Sequence, residues 1–558
     1  MSEQAHAKAD DFIRNETQFH LGFLPTEQAN PLTRNLGADF QSDPEKGVES
    51  LQRCDREVLK MAERVFASAE YARFLRSGIE TVKNGGRILF SGCGATGRLS
   101  ILLESLWRNA CRKHPSMVRF ADSAESIMTG GDFALVRSVE FFEDYSSFGR
   151  KQAAEAGIGE KDMLVAISEG GETSSVLGTA AEALDRNAKV FFLFNNPADI
   201  LCKHLERSRR IIEDPRVTVL DLFCCPMALA GSTRMQATTS EQLIAGAMLE
   251  SVFHTLNGMP VPDHAADFRR LLDALETPSA RRNIADYLRF EADRCKKHAC
   301  VTYFANDCLL DIFTDTTERS PTFMIPPFRP KGDTVSPKPW AFVKNPLFST
   351  AETWNNAMRR PLRCLAWTPD DYRAMGAAEE IVRNPPRISA EDLLRIPVGC
   401  EDPEERTGSP DDAAVLLRTV PDAALDAAFE KLKTVFPLSR VIAVGHGAEG
   451  DFVLEIPAFA GAFPLMRNMA VKLFFNTVST GVMARLGRVT GNWMSWVDCT
   501  NKKLIDRGTR LLVDIAGVDY RTACRALFDA MEEIAGQRRK DGEEKPSPVQ
   551  IALARLGR

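Results

Sequence analysis

Arg87-Ile-Leu-Phe-Ser-Gly-Cys-Gly-Ala-Thr-Gly-Arg-Leu99 is the stretch whose reading decides the fold. Ile88, Leu89 and Phe90 make a short apolar run suited to a buried parallel strand, and Ser91 to Gly97 turns from it into an amphipathic helical stretch starting at Arg98. A strand, a glycine turn and a helix start together form an anion cradle. Glycine lets backbone N–H groups approach a ligand, the helix start adds partial positive charge, and Ser91 and Thr96 add hydroxyls. The same arrangement also serves as a plain strand-to-helix connection. The turn does not carry G-x-x-x-x-G-K-[ST], which argues against a nucleotide P-loop.

Working outward, short apolar runs recur at Met163 to Ile167, Val190 to Phe194 and Val217 to Leu222, separated by helical segments. That alternation predicts an α/β fold with a parallel sheet covered on both faces, whose ligands bind beyond the carboxyl ends of the strands. After Ile167 comes S-E-G-G-E-T-S-S, and after the run at Val217 comes A-L-A-G-S-T-R-M. With the cradle, three strand ends rich in glycine and hydroxyls converge on one rim, which favours phosphate binding there. Upstream, the spacing predicts one helix from about Val58 to Ile79, and residues 1 to 50 read as loops and a short packing arm.

A second, degraded copy follows. Cys300 to Phe304, Pro361 to Trp367 and Val441 to Val444 read as strands, with a helix from about Met469 to Leu486. Its first strand runs into A-N-D-C-L-L-D, which lacks the glycine cradle and is not expected to hold a phosphate in the same manner. The proline-rich Phe323 to Pro346 reads as an extended loop, Pro385 to Asp412 as a surface insertion, and Arg538 to Pro548 as a charged tail before a last short helix. The expected division is an arm at 1–55, a first domain at 56–260, a second, degenerate one at 261–505 and a helical segment at 506–558.

The 558 residues are too many for one core, and 26% charged against 44% apolar residues with net charge −6 is an ordinary globular balance. Nothing in it seeks nucleic acid or a membrane. Thirteen cysteines occur singly apart from Cys224-Cys225, with no zinc-ligand spacing, which fits a reducing, cytoplasmic setting. No metal, nucleotide or other cofactor is expected.

Taken together, Gly92-C-G-A-T-G-R-Leu99, Thr129-G-G-D-F-A-L-V-R-S-V-Glu140, Gly231-S-T-R-Met235 and N-T-V-S-T-G with L-G-R-V-T-G-N-W-M between Asn476 and Met494 resemble the sugar isomerase (SIS) domain family. Within it, the N-acetylmuramic acid 6-phosphate etherases and the glucokinase regulatory protein share these marks. The resemblance implies two αβα sandwiches packed as a pseudo-dimer, as in the regulatory protein, with small helical additions at either end. It also implies a phosphosugar held by Thr96, Ser168, Thr173 and Ser174, with Gly94 and Gly171 allowing backbone approach, and by Lys503, or Lys502 in the alternative register. An etherase-like reaction needs one carboxylate as base and another as acid. The motif places one at Glu140. Where the other belongs, after G-R-L, stands Leu106, with Glu104 two residues early, while the second domain carries Asp315-T-T-E-R-S-P-T-Phe323 with Glu318 at the family position.

Plainer readings stand beside these. Glu140 also fits a solvated helix start, Glu318 a structural carboxylate beside Arg319 or Arg329, Lys503 an exposed charge, and His446 a structural histidine. Glu169 and Glu172 are unusual beside a phosphate, because like charges repel. The resemblance therefore implies an etherase-like lyase acting through Glu140 and Glu318. The alternatives are a phosphosugar sensor that regulates a partner such as a sugar kinase, and an aldose–ketose isomerase.

Overall fold

The computed structural model describes residues 3–139, 141–537 and 544–557. In its first half β1 (Ile88–Gly92), β2 (Ala124–Met128), β3 (Met163–Ile167), β4 (Lys189–Phe194) and β5 (Val217–Asp221) form a parallel sheet in the order β2-β1-β3-β4-β5. The central strands β1 and β3 are buried at every residue, because helices cover both faces. β6 (Val301–Phe304), β7 (Ala341–Lys344), β8 (Ala413–Arg418), β9 (Leu438–Gly445) and β10 (Phe452–Glu455) form the second sheet, also parallel, in the order β7-β6-β8-β9-β10. That is the first order repeated, with β6 standing for β1. The chain is two αβα sandwiches of one topology.

The halves share a core. One apolar cluster runs from Phe40, Phe90 and Trp107 through Phe253 to Phe313, Trp354 and Phe475. Helices Gln236–Leu256 and Leu465–Arg485 lie inside it and are buried almost all round, so they show little amphipathic character. They meet where Gly246 leaves room for Leu465: a Cβ there would stand 2.7 Å from Leu465 Cδ1. At the ends, helix Lys502–Ala516 packs with Tyr520–Gly536 and Pro548–Arg555, and Glu3–Asn15 joins them through Phe12 and an Arg525–Asp10 ion pair of 2.6 Å.

Several expectations are corrected. The run at Val58 to Ile79 belongs to two helices, Pro44–Phe66 and Ala69–Lys83, because Ser68 between them accepts a hydrogen bond from Tyr71 N and starts a new helix. The N-terminal fifty residues contain helices Glu3–Asn15 and Leu36–Ser42 as well as loops. Pro361 to Trp367 is not a strand. It crosses as irregular chain to the first half, where Asp132 N donates to Arg363 O and Arg363 N donates back to Asp132 Oδ2. The second strand of that copy is β7, which lies between Pro339 and Pro346 near the end of the segment read as a loop.

Candidate functional site

At the carboxyl end of β1 the chain leaves Gly92 through Cys93 and Gly94, and helix Ala95–Lys113 begins with Gly94 at φ +59° and no side-chain cap. A Cβ on Gly92 would lie 2.4 Å from the Thr96 carbonyl carbon, so the turn admits no side chain. Gly92, Gly94 and Gly97 stand at G-x-G-x-x-G spacing, which dinucleotide turns share. The carboxylate that follows β2, Asp132, is however taken up by the Arg360 guanidinium at 2.7 and 2.9 Å rather than left for a ribose. Thr96 Oγ1 accepts from Cys93 N at 3.0 Å and donates to Cys93 O at 2.9 Å, so this fully buried hydroxyl closes the turn.

The loop after β3 forms the facing wall. Ser168 Oγ accepts from Gly171 N at 3.2 Å and donates to Thr173 Oγ1 at 3.1 Å. Gly171 has φ +76°, and a Cβ there would stand 2.7 Å from Leu201 Cδ1, so both its backbone conformation and its surroundings call for glycine. Thr173 caps helix Ser174–Asp185 without using its side chain, and Ser174 sits half-buried at the start of that helix. The first-turn N–H groups of this helix face the same rim as those of the cradle.

Lys503 reaches this loop from helix Lys502–Ala516, with its Nζ 2.6 Å from Glu172 Oε1. Lys502 points away to Glu16 at 2.6 Å. Burial opposes the charge on Lys503, but Glu172, Glu27 and Glu143 overcome it and hold the ammonium above its ordinary range. Burial likewise raises Glu172, yet Lys503 and Arg207 outweigh it and keep that carboxylate ionised and low.

Glu318 arrives from the second half on helix Leu309–Phe323. Its Oε1 accepts a close hydrogen bond from Arg98 Nη1, and a Cβ on Gly94 would lie 3.8 Å from the same oxygen. The second half thus places a carboxylate against the first half's cradle. Arg98 is fully buried and also donates to Ala134 O at 2.8 Å. Beside them Glu169 is pushed up to about 8, first by burial and then by the charge of Glu318. Glu143 is raised too, chiefly by burial. Glu140 lies outside the described residues.

Behind the rim, the motifs meet. Arg234 of G-S-T-R-M donates to Asp315 at 3.0 Å and to Ser479 Oγ at 3.1 Å, and Ser479 donates to Asp315 at 2.7 Å. Asp315 also holds Arg319 at 2.7 Å, and Arg319 holds Glu291 at 2.6 Å. These buried groups fix the helix that carries Glu318. Glu104, by contrast, is locked in a structural cluster with Arg108, Arg360 and Arg363 and takes no part in the rim.

Arg98 and Glu143 were not anticipated from sequence. Arg98 stood in the quoted stretch, one residue behind the last glycine, and its charge beside an anion cradle was the available signal. Glu143 had no spacing to mark it. Among the described residues no cluster of three His, Cys, Asp or Glu could hold a metal ion, and no helix is long and apolar enough to cross a membrane.

Residues 70–184 match the glucokinase regulatory protein N-terminal SIS domain. An N-acetylmuramic acid 6-phosphate etherase from Nostoc sp. is 30% identical over 256 residues, covering 45% of this chain and 76% of its own. Another, from Picosynechococcus sp., is 29% identical over 296 residues, covering 51% of this chain and 90% of its own. The solved tagatose-6-phosphate ketose/aldose isomerase from Escherichia coli aligns over 80% of this chain and 94% of its own at 10% identity, with a TM-score of 0.43, too loose to bear on chemistry.

Proposed function

The chain belongs to the SIS family of the N-acetylmuramic acid 6-phosphate etherases, and on that premise we infer that it binds a phosphorylated sugar at the first rim and acts on it as an etherase-like lyase. The observation that carries this reading is Glu318 of the second half standing against Gly94 of the first. A sensor needs only the cradle and one carboxylate to bind sugar hydroxyls, so a second carboxylate delivered across the molecule favours chemistry. In the reaction the resemblance implies, a base removes the proton beside the carbonyl carbon of the opened sugar. The ether oxygen then leaves as lactate, taking a proton from an acid, and water adds in its place. Glu140 and Glu318 are the proposed pair, with phosphate held by the N–H groups of the two helix starts and by Ser174, and with Lys503 countering the added charge.

Glu318→Gln tests the reading. Turnover of N-acetylmuramic acid 6-phosphate is expected to fall roughly 100- to 10,000-fold, the range for losing a positioned acid or base, with binding by calorimetry nearly unchanged. Equal turnover in the variant overturns it. One observation favours the sensor alternative: Glu318 Oε1 is already engaged by Arg98 and not left free to face a ligand. Under that reading the unaltered protein binds the phosphosugar and releases no lactate from it.

A further inference from the structure

A cavity of about 860 Å³ opens at the carboxyl ends of β6, β8 and β9, the place in the second sheet that the rim occupies in the first. The turn after β6 ends in Cys308, which holds the left-handed conformation at φ +55° and starts helix Leu309–Phe323 without a side-chain cap. Gly94 also starts its helix at a positive φ, +59°, but outside the left-handed region, so the two turns differ in shape. A side chain in the left-handed conformation is strained, so the turn after β6 holds Cys308 there at a cost. The first-turn N–H groups at Leu309, Leu310 and Asp311 have no carbonyl four residues back to bond.

Two further groups point to a ligand. Asn468 is 3% exposed and lines the cavity. Its Nδ2 donates to Asp311 at 2.5 Å, while its Oδ1 has no donor. Arg359 also lines the cavity, half-buried, and among the described residues its guanidinium makes no hydrogen bond or ion pair. The carboxylate in the turn, Asp307, is already neutralised by Arg467 at 2.8 Å and bonded by Thr419 at 3.1 Å.

We propose that this cavity is a second ligand site, which takes a small phosphate monoester bearing hydroxyl groups and does not transform it. The helix start and Arg359 supply donors and positive charge for the phosphate, and Asn468 Oδ1 supplies the acceptor that a ligand hydroxyl needs. The opposite wall has no counterpart of Glu318. Helix Ala95–Lys113 offers this cavity Leu102, Ser105, Leu106, Asn109 and Lys113 and no carboxylate, since Glu104 is turned away to its arginines. Glu250 and His264, elsewhere in the lining, are bonded to each other at 2.9 Å. The site stands independently of the reading given for the first rim.

Amide hydrogen exchange on the full chain, with glucose 6-phosphate as the probe, separates the two. The proposal expects slower exchange at residues 306–312 on titration, with or without protection at 94–98 and 168–174. Protection confined to 94–98 and 168–174 overturns it and leaves the first rim's reading standing. Protection confined to 306–312 supports it and counts against the first rim, and no protection anywhere overturns both. Arg359→Gln is expected to raise the titration midpoint at 306–312 roughly tenfold or more, the scale of one charge-assisted hydrogen bond. A folded variant with an unchanged midpoint overturns the proposal, and if the variant does not fold, exchange in the unaltered chain decides.

Discussion

Glu169 carries the charge state of the rim. Its folded pKa of about 8 lies above the ordinary 4.5, so between those values the folded chain keeps a proton that the unfolded chain has lost. The stability this contributes is complete below about 4.5 and disappears as pH rises through about 8. Glu169→Gln removes the dependence. Its melting temperature is expected to fall less than that of the unaltered protein as pH is raised from neutrality past 8, and any alkaline limb in turnover centred there is expected to vanish with it. The residue scale is also where the sequence said most and least. Gly94 and Gly171 answer a requirement written locally, a backbone at positive φ, whereas Lys503 could be placed only through the family resemblance. The pairing of Arg98 with Glu318 could not, because it joins residues 220 positions apart, and only the docking of the two halves brings them together. Thr96 was legible as a hydroxyl in the cradle, but not as one whose bonds are spent on its own turn.

Among elements, helix Leu309–Phe323 bears the most. Its buried Asp315 compensates Arg234 and Arg319 together, and removing a buried partner leaves charges that water cannot reach. Asp315→Asn is expected to cost about 3–5 kcal/mol in urea unfolding, and a cost within the scatter of surface substitutions would mean that the network is not a clamp. Most of the first half's strands were legible because β1, β3 and β4 are apolar runs of five or six residues facing helices on both sides. β2, Ala-Glu-Ser-Ile-Met, is broken by polar residues and was not expected. The second half's were less so. β7 has four residues and directly follows a proline-rich segment, while β10 is an edge strand with one buried position, so neither shows a run long enough to stand out. Pro361 to Trp367 has the composition of a strand, but its backbone is used by Asp132 of the other half.

At the scale of the whole molecule, the repeated strand order and the continuous core make each half the packing partner of the other. The tandem arrangement was legible once the second set of apolar runs had been noticed. How closely the halves share a core was not, since helices Gln236–Leu256 and Leu465–Arg485 carry no amphipathic pattern to say which surface they cover. Because Glu318 reaches the cradle along the same polypeptide, the two sides of the site meet at an effective concentration set by the chain and not by the test tube. Rate per mole of protein is therefore expected to stay level on serial dilution, where a site assembled from separate subunits would fade as they part. One polypeptide can then supply a working site in a cell that makes very few copies of it.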